Sequence, residues 1–304
     1  MTRARAPGKV VLSGAYAVLS GAPAIVTAVS RYVTADTSRA AELVTDEVSA
    51  ALRPDEHAPW FDAAELRQDG RKLGLGSSAA ILVASLFALE HAAAPHADQA
   101  TLQKRVFERA LAAHRTAQGG GSGVDVAASS FGGTLVYRLS AAGPAPRPVA
   151  LPAELTFELW ICPSSASTRD LLAAVARLAQ TAPHDHAAWL SAQTAASLAA
   201  ADSIEQQAPS DLLNALRAQH RALSGLGQRA GAPIVTPELV ELGPLAEAEG
   251  GVLLPAGAGG GDIALFVGLG PSSRALRVAL ENRAHRLLET TLAAPGVALA
   301  DKEG

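Results

Sequence analysis

The sequence predicts an α+β protein of two domains, in which sheets and helices form separate layers. Three observations support this prediction. The N-terminal residues up to Thr37 read as strands, and an apolar run from Ala79 to Ala94 reads as a buried helix. The second half then mixes strand-like with helix-like segments. A chain of 304 residues, 49% of them hydrophobic, is long enough to fill two hydrophobic cores.

In the first half, strand patterns come before helix patterns. Pro7 and Gly8 predict a bend between two short strands. Asp98 and Gly119 mark the start and the end of a helix with apolar residues at helical spacing. Residues 141–152, rich in alanine, glycine and proline, read as a connector. The predicted domains are therefore 1–152 and 153–304. The predicted elements of the first domain are strands at 3–12, 24–29, 32–37 and 134–139 and helices at 79–94 and 99–118.

The second half begins with a strand, and longer helical patterns follow it. Pro237 is expected at the first position of a helix, where its missing N–H is tolerated. The predicted elements are strands at 155–161, 252–254 and 263–267 and helices at 167–180, 184–207, 210–229, 236–249 and 272–288.

Composition excludes several classes of partner. The net charge is −4 and no run rich in lysine or arginine occurs, so we expect neither a nucleic acid nor an anionic membrane as a partner. No apolar run reaches the about 18 residues of a membrane span. The single cysteine, Cys162, rules out an internal disulfide bond and fits a reducing compartment. We therefore expect a cytoplasmic protein.

The stretch from Lys72 to Ala80 carries the strongest local signal for a ligand. Gly74 and Gly76 allow a sharp bend and a close backbone approach to a ligand. Ser77 or Ser78 is expected to cap the helix that follows. The first amides of such a helix favour an anion, with phosphate as the expected one, and the hydroxyl groups could ligate Mg²⁺. The alternative is an ordinary glycine-serine turn with a serine cap.

Two further polar residues, Lys9 and Asp125, each allow a structural and a functional interpretation. Lys9 is either a solvated residue at a sheet edge or a positive group for a phosphate. Asp125, among glycines and small residues, is either a turn or capping aspartate or a carboxylate that accepts a proton during phosphoryl transfer. A nearby lysine would keep such a carboxylate ionised. The sequence does not show whether these two side chains meet.

Taken together, three stretches resemble the motifs of the GHMP small-molecule kinases, in the same order. They are Ala6 to Leu19, Gly74 to Ala80 and Gly257 to Asp262. The resemblance implies the GHMP kinase fold: an N-terminal domain like ribosomal protein S5 domain 2 and a ferredoxin-like C-terminal domain. It also implies an enzyme that uses ATP and Mg²⁺.

Within this family, four stretches resemble the phosphomevalonate kinases of bacteria and fungi. This likeness implies transfer of the γ-phosphoryl group of ATP to 5-phosphomevalonate in isoprenoid biosynthesis, by a monomer or homodimer. The stretches are 69–78, 113–128, Trp160 with Ala166 to Thr168, and 234–239.

The resemblance assigns roles residue by residue. Lys9 and Asp125 would be the catalytic pair, and Ser78 would contact Mg²⁺. Basic side chains must hold the phosphate of the acceptor, and Lys72, Arg138 and His114 are the candidates. The implied ATP-binding residues are Gly74, Leu75, Gly76, Ser77, Ser78 and Ala79. The implied substrate-binding residues are Lys9, Tyr16, Lys72, His114, Ser122, Gly123, Asp125, Arg138, Gly257, Ala258 and Gly259.

The chain departs from the family pattern at several positions, which keeps two alternatives open. Ala15 replaces a common glutamate, Leu254 and Ala256 replace a lysine and a serine, and no Cys-Gly follows Asp262. One alternative is a mevalonate kinase or another GHMP small-molecule kinase. The other is a nucleotide-binding regulatory protein that has lost catalysis.

Overall fold

A computed structural model describes residues 1–140, 143–165 and 167–300. Ala141 and Ala142, from the predicted connector, and Ala166, from one resembling stretch, lie outside the described residues. The strands are β1 (Arg3–Ser13), β2 (Ala24–Ala40), β3 (Pro59–Asp62), β4 (Arg67–Gln68), β5 (Arg71–Lys72), β6 (Thr134–Ser140), β7 (Gly143–Val149), β8 (Thr156–Ile161), β9 (Val252–Pro255), β10 (Ile263–Gly268), β11 (Arg286–Leu288) and β12 (Ala298–Leu299). The helices are α1 (Asp46–Ala51), α2 (Ser77–Ala93), α3 (Gln99–Gln118), α4 (Val124–Phe131), α5 (Thr168–Thr181), α6 (Pro183–Glu205), α7 (Pro209–Ala230), α8 (Pro237–Ala248) and α9 (Arg274–Glu281).

The strands form two larger sheets and one hairpin. One sheet has the order β12-β1-β2-β6-β7, with β3 paired to β2. The other has the order β11-β8-β10-β9, and each neighbouring pair in it is antiparallel. Strands β4 and β5 pair separately, with Arg67 opposite Lys72. The predicted mixture of strands and helices is confirmed.

The bend predicted at Pro7 and Gly8 is wrong, because β1 runs through both residues without a break. A Cβ atom on Gly8 would lie 2.8 Å from Leu66 Cδ2 and 2.9 Å from the backbone oxygen of Leu75. Glycine at this position therefore permits close packing rather than a turn. The two strands predicted between Ala24 and Thr37 are likewise one strand of 17 residues.

Two other segments differ from prediction because each contains a strand that pairs within a sheet. The predicted connector contains β7, which joins the larger sheet beside β6. The last predicted helix, 272–288, ends at Glu281, and β11 then pairs with β8. Ala284 between them has φ +59°, a left-handed conformation that a helix cannot continue through. Helices α1 and α4 were not predicted.

The described chain divides into two compact units. The first comprises Met1–Val10, Val26–Leu135 and the chain from Thr290 onward, and the second comprises Val11–Ile25 and Val136–Glu289. These cuts differ from the predicted boundary at residue 152. One reason is that β12, near the end of the chain, pairs with Ala4 and Arg5 of β1, and this pairing is invisible in a local sequence pattern.

In the first unit, α2 is the central helix. Its residues from Ala79 to Ala88 are all buried, as the apolar run predicts, because α1, α3 and α4 all contact it. Charged side chains tie these helices together at one end. Arg109 of α3 donates to the Glu90 carboxylate at 2.8 Å and to the Ala51 carbonyl at 2.8 Å, and it also pairs with Glu56.

The second unit has its own hydrophobic core between its sheet and helices. Trp160 of β8 and Phe266 of β10 are each 1% exposed in it. Leucines of α5, α7 and α8 contribute to the same cluster. Within the described ranges, no helix is both long and apolar enough to cross a membrane.

Candidate active site

The glycine loop leads directly into the N-terminus of α2. Gly76 is the N-cap residue, with φ +76°, and no side chain caps the helix. The expectation that Ser77 or Ser78 would cap it is therefore wrong, because both lie inside the first turn. A left-handed conformation in close contact with a neighbouring side chain strongly favours glycine. Because Gly76 has no side chain to cap the helix, the first amides of α2 suit an anion.

Lys9 lies against this loop. Its backbone N–H donates to the Leu75 oxygen at 2.8 Å, which joins β1 to the loop. Its side chain crosses Gly76, where a Cβ atom would lie 2.9 Å from Lys9 Cε and 3.1 Å from Cγ. Of the two interpretations of Lys9, this packing favours a positive group at an anion site over a solvated residue at a sheet edge.

Asp125 lies in the first turn of α4, after Gly123, which has φ +76°. Its Oδ1 accepts the Val126 backbone N–H at 3.0 Å, and 25% of its side chain is exposed. The Ser122 hydroxyl accepts the Val124 backbone N–H at 3.4 Å, so Ser122 and Gly123 shape the start of the helix.

Ser129, a residue that sequence reasoning missed, anchors α4 to β1. Its buried hydroxyl donates to the Pro7 carbonyl at 2.9 Å. Asp125 lies one helical turn before Ser129, and Lys9 lies two residues after Pro7. The helix of the candidate base thus packs on the strand of the candidate lysine. The spacing of Asp125 and Ser129 was a usable signal, but the surrounding glycines made the segment read as a loop.

Of the basic candidates for the acceptor phosphate, two lie in the first unit, in different environments. Lys72 is exposed on β5, just before the glycine loop. His114 is only 3% exposed, and its Nε2 lies 3.8 Å from Asp125 Oδ1. The structure therefore places His114 beside the candidate catalytic carboxylate.

The remaining candidates belong to the second unit. Arg138 is exposed on β6. Tyr16 is 3% exposed, and its hydroxyl donates to the Ala258 carbonyl at 2.7 Å. Burial raises the pKa of this hydroxyl far above its ordinary value, so it remains a donor. Gly257 N–H donates to the Val11 oxygen at 3.0 Å, two residues past Lys9 in the chain.

The third glycine-rich loop is held at several points that the sequence did not reveal. A Cβ atom on Gly259 would lie 2.0 Å from the Ile234 oxygen, so only glycine fits there. The same oxygen accepts the Gly260 N–H at 3.1 Å, and the Ser165 hydroxyl donates to Asp262 at 2.5 Å. Leu254, one of the departures from the family pattern, is fully buried in β9.

Comparison with known proteins shows which proteins this chain resembles. Residues 57–133 match the family described as GHMP kinases N terminal domain. The chain is 32% identical over 221 residues to a phosphomevalonate kinase of a Streptomyces species, covering 66% of this chain and 58% of that protein. The chain therefore spans somewhat more than half the length of this curated relative.

Solved structures show the same fold. The Lin0012 protein of Listeria innocua superposes with a TM-score of 0.80 at 22% identity, covering 99% of each chain. The Streptococcus pneumoniae phosphomevalonate kinase superposes with a TM-score of 0.75 at 18% identity, covering 96% of this chain and all of that one. The expected GHMP kinase fold is confirmed, and so is the resemblance to phosphomevalonate kinases. This chain is thus a relative of the GHMP kinases.

Proposed function

We propose that this chain is an ATP-dependent kinase that phosphorylates 5-phosphomevalonate to 5-diphosphomevalonate. The observation that carries phosphoryl transfer is the packing of the Lys9 side chain against Gly76, at the uncapped start of α2. A lysine and the N-terminus of a helix whose cap residue has no side chain together favour the oxygens of a nucleotide phosphate. In this proposal Gly74, Leu75, Gly76, Ser77, Ser78 and Ala79 hold the phosphates of ATP.

The acceptor is proposed from the relatives. The Streptomyces protein, with 32% identity, is a phosphomevalonate kinase. One structure of the Streptococcus pneumoniae enzyme holds phosphomevalonate and AMPPNP, and it superposes on this chain with a TM-score of 0.74. Lys72 and Arg138 stay separate candidates for the acceptor's phosphate, because each is an exposed cation. Tyr16 would act by fixing Ala258, and with it the loop from Gly257 to Gly259.

The reaction has a simple balance of bonds. An oxygen of the acceptor's phosphate forms a bond to the γ-phosphorus, and the bond between that phosphorus and the β,γ-bridging oxygen breaks, releasing ADP. Lys9 stabilises the negative charge that develops during the transfer. The second pKa of a phosphate monoester is about 6, so at mildly acidic pH a fraction of the acceptor molecules carries a proton on the phosphate. Asp125 is proposed to take that proton.

In this proposal Mg²⁺ binds together with the phosphates of ATP and not at a separate metal centre. Mg²⁺ binds through few protein oxygens and several phosphate oxygens. Ser78 offers a half-buried hydroxyl in the first turn of α2, which is a suitable oxygen ligand. No group of three or more metal-ligating side chains occurs in the described part of the chain. The ion would neutralise charge on the transferring phosphoryl group.

The test is ADP release by the purified protein with Mg-ATP, comparing 5-phosphomevalonate with mevalonate as acceptor. We expect turnover with 5-phosphomevalonate and at least tenfold less with mevalonate. Turnover with mevalonate alone would replace the proposed acceptor and leave a mevalonate kinase. ATP binding without turnover on either acceptor would favour the regulatory alternative. A cytoplasmic location and a monomeric or homodimeric state stay predictions.

A further inference from the structure

His114 lies where three parts of the first unit converge. It stands on the last turns of α3, beside the first turn of α4 and under the glycine segment that joins them. Gly121 of that segment has φ +115°, and a Cβ atom on it would lie 3.7 Å from His114 Nε2. The imidazole is thus enclosed by helix and loop, which explains why it is only 3% exposed.

One of the two ring nitrogens of His114 faces Asp125, the candidate base. Its Nε2 lies 3.8 Å from Asp125 Oδ1, which is longer than a hydrogen bond and within the range of an ion pair. Its buried Nδ1 has no hydrogen-bond partner among the described residues. Oδ1 also accepts the Val126 N–H at 3.0 Å, so both of these contacts of Asp125 fall on one oxygen.

We propose that His114 is a positioning residue for Asp125. Nε2 faces Oδ1 and holds that oxygen toward the Val126 amide, which directs Oδ2 to the proton on the acceptor's attacking oxygen. This inference rests on the proposed kinase function. It replaces the expectation that His114 binds the acceptor's phosphate, because an enclosed ring with one edge against a carboxylate is poorly placed to receive a second anion.

The experiment compares two substitutions at His114 with a matched control. In His114→Gln, the side-chain amide can place a polar nitrogen near the position of Nε2, whereas His114→Leu leaves only apolar atoms there. The control is His91→Gln, since His91 is a partly buried imidazole whose Nδ1, like that of His114, has no partner among the described residues. His91 lies 14 residues after Ser77 on α2, about 21 Å along the helix from the phosphate loop.

We expect kcat at pH 6 to fall about 10- to 100-fold in His114→Leu and less than tenfold in His114→Gln, because precise placement of a catalytic group is worth up to about 100-fold. KM for both substrates should stay within twofold. His91→Gln should keep the wild-type kcat. A raised acceptor KM with unchanged kcat would overturn the inference and restore a phosphate contact. Equal kcat losses in the leucine and glutamine variants would reduce His114 to a packing residue.

A second readout separates this inference from the proposed function. If the wild-type protein forms no ADP with either acceptor, the function fails, and positioning is judged by NMR. With ¹³C-carboxyl aspartate, the Asp125 resonance is identified by its loss in Asp125→Asn. We expect it to move in His114→Leu and to remain in place in His91→Gln. An unmoved Asp125 resonance in His114→Leu overturns the inference whatever the activity.

Discussion

Gly76→Ala is the sharpest test of the phosphate site, because Gly76 combines a left-handed backbone with contact to Lys9. Alanine at φ +76° costs about 1–2 kcal/mol of backbone strain. The added methyl group would lie 2.9 Å from Lys9 Cε, so the flexible lysine must move. A displacement of about 1 Å in a positioned catalytic group can cost about 100-fold in rate.

Gly231→Ala supplies the matched control. Gly231 follows α7 with φ +62°, and an added Cβ atom there meets nothing within 4 Å. Both variants should lose similar stability, measured by calorimetry, at about 2–4 °C in Tm for each kcal/mol. Only Gly76→Ala should lose about 100-fold in kcat in the ADP-release assay. If Gly76→Ala matches Gly231→Ala in both Tm and kcat, the Lys9 contact has no part in catalysis.

Three further predictions concern single side chains. Asp125→Asn should lower kcat by about 10²–10⁴-fold at pH 5.5. The loss should be much smaller at pH 8 in a pH–rate profile, because the acceptor's phosphate carries no proton there. An equal loss at both pH values would contradict a base that acts on a phosphate. Tyr16→Phe should cost about 1–3 kcal/mol in urea unfolding, because it leaves the Ala258 carbonyl without its buried donor. Burial raises the pKa of Glu56, but hydrogen bonds from Arg109 and Arg53 outweigh burial and leave it below its usual 4.5. The stability that the ionised Glu56 adds is therefore complete above pH 4.5 and is lost as the pH falls through the lowered pKa. The free energies of unfolding of Glu56→Gln and wild type, followed by circular dichroism, should therefore become equal in acid.

Local pattern was enough to find the longer helices and the glycine loop. Asp98 caps α3 through the Thr101 N–H at 2.9 Å, and Gly119 ends the helix at φ +68°, both as predicted. Pro237 opens α8 at its first turn. These features depend on neighbours within a few residues, so the sequence carries them directly.

The predictions failed where distant segments set the local conformation. Gly8 reads as a turn residue, but contacts with Leu66 and Leu75 make it a close-packed position within a strand. Gly76, rather than either serine, became the cap because the side chain of Lys9 occupies the space where a Cβ atom would stand. Such packing depends on residues far apart in sequence, and no local spacing records it.

The sequence by itself determined the class of fold, the longer helices and the candidate residues of the site. Tertiary structure alone decided how the candidate site residues of the first unit are arranged. The Ser129 hydrogen bond to Pro7 sets α4 on the strand of Lys9, and folding places His114 beside Asp125. The physical reason is that hydrogen bonding and burial act between residues brought together by folding, whereas propensity and capping act along the chain.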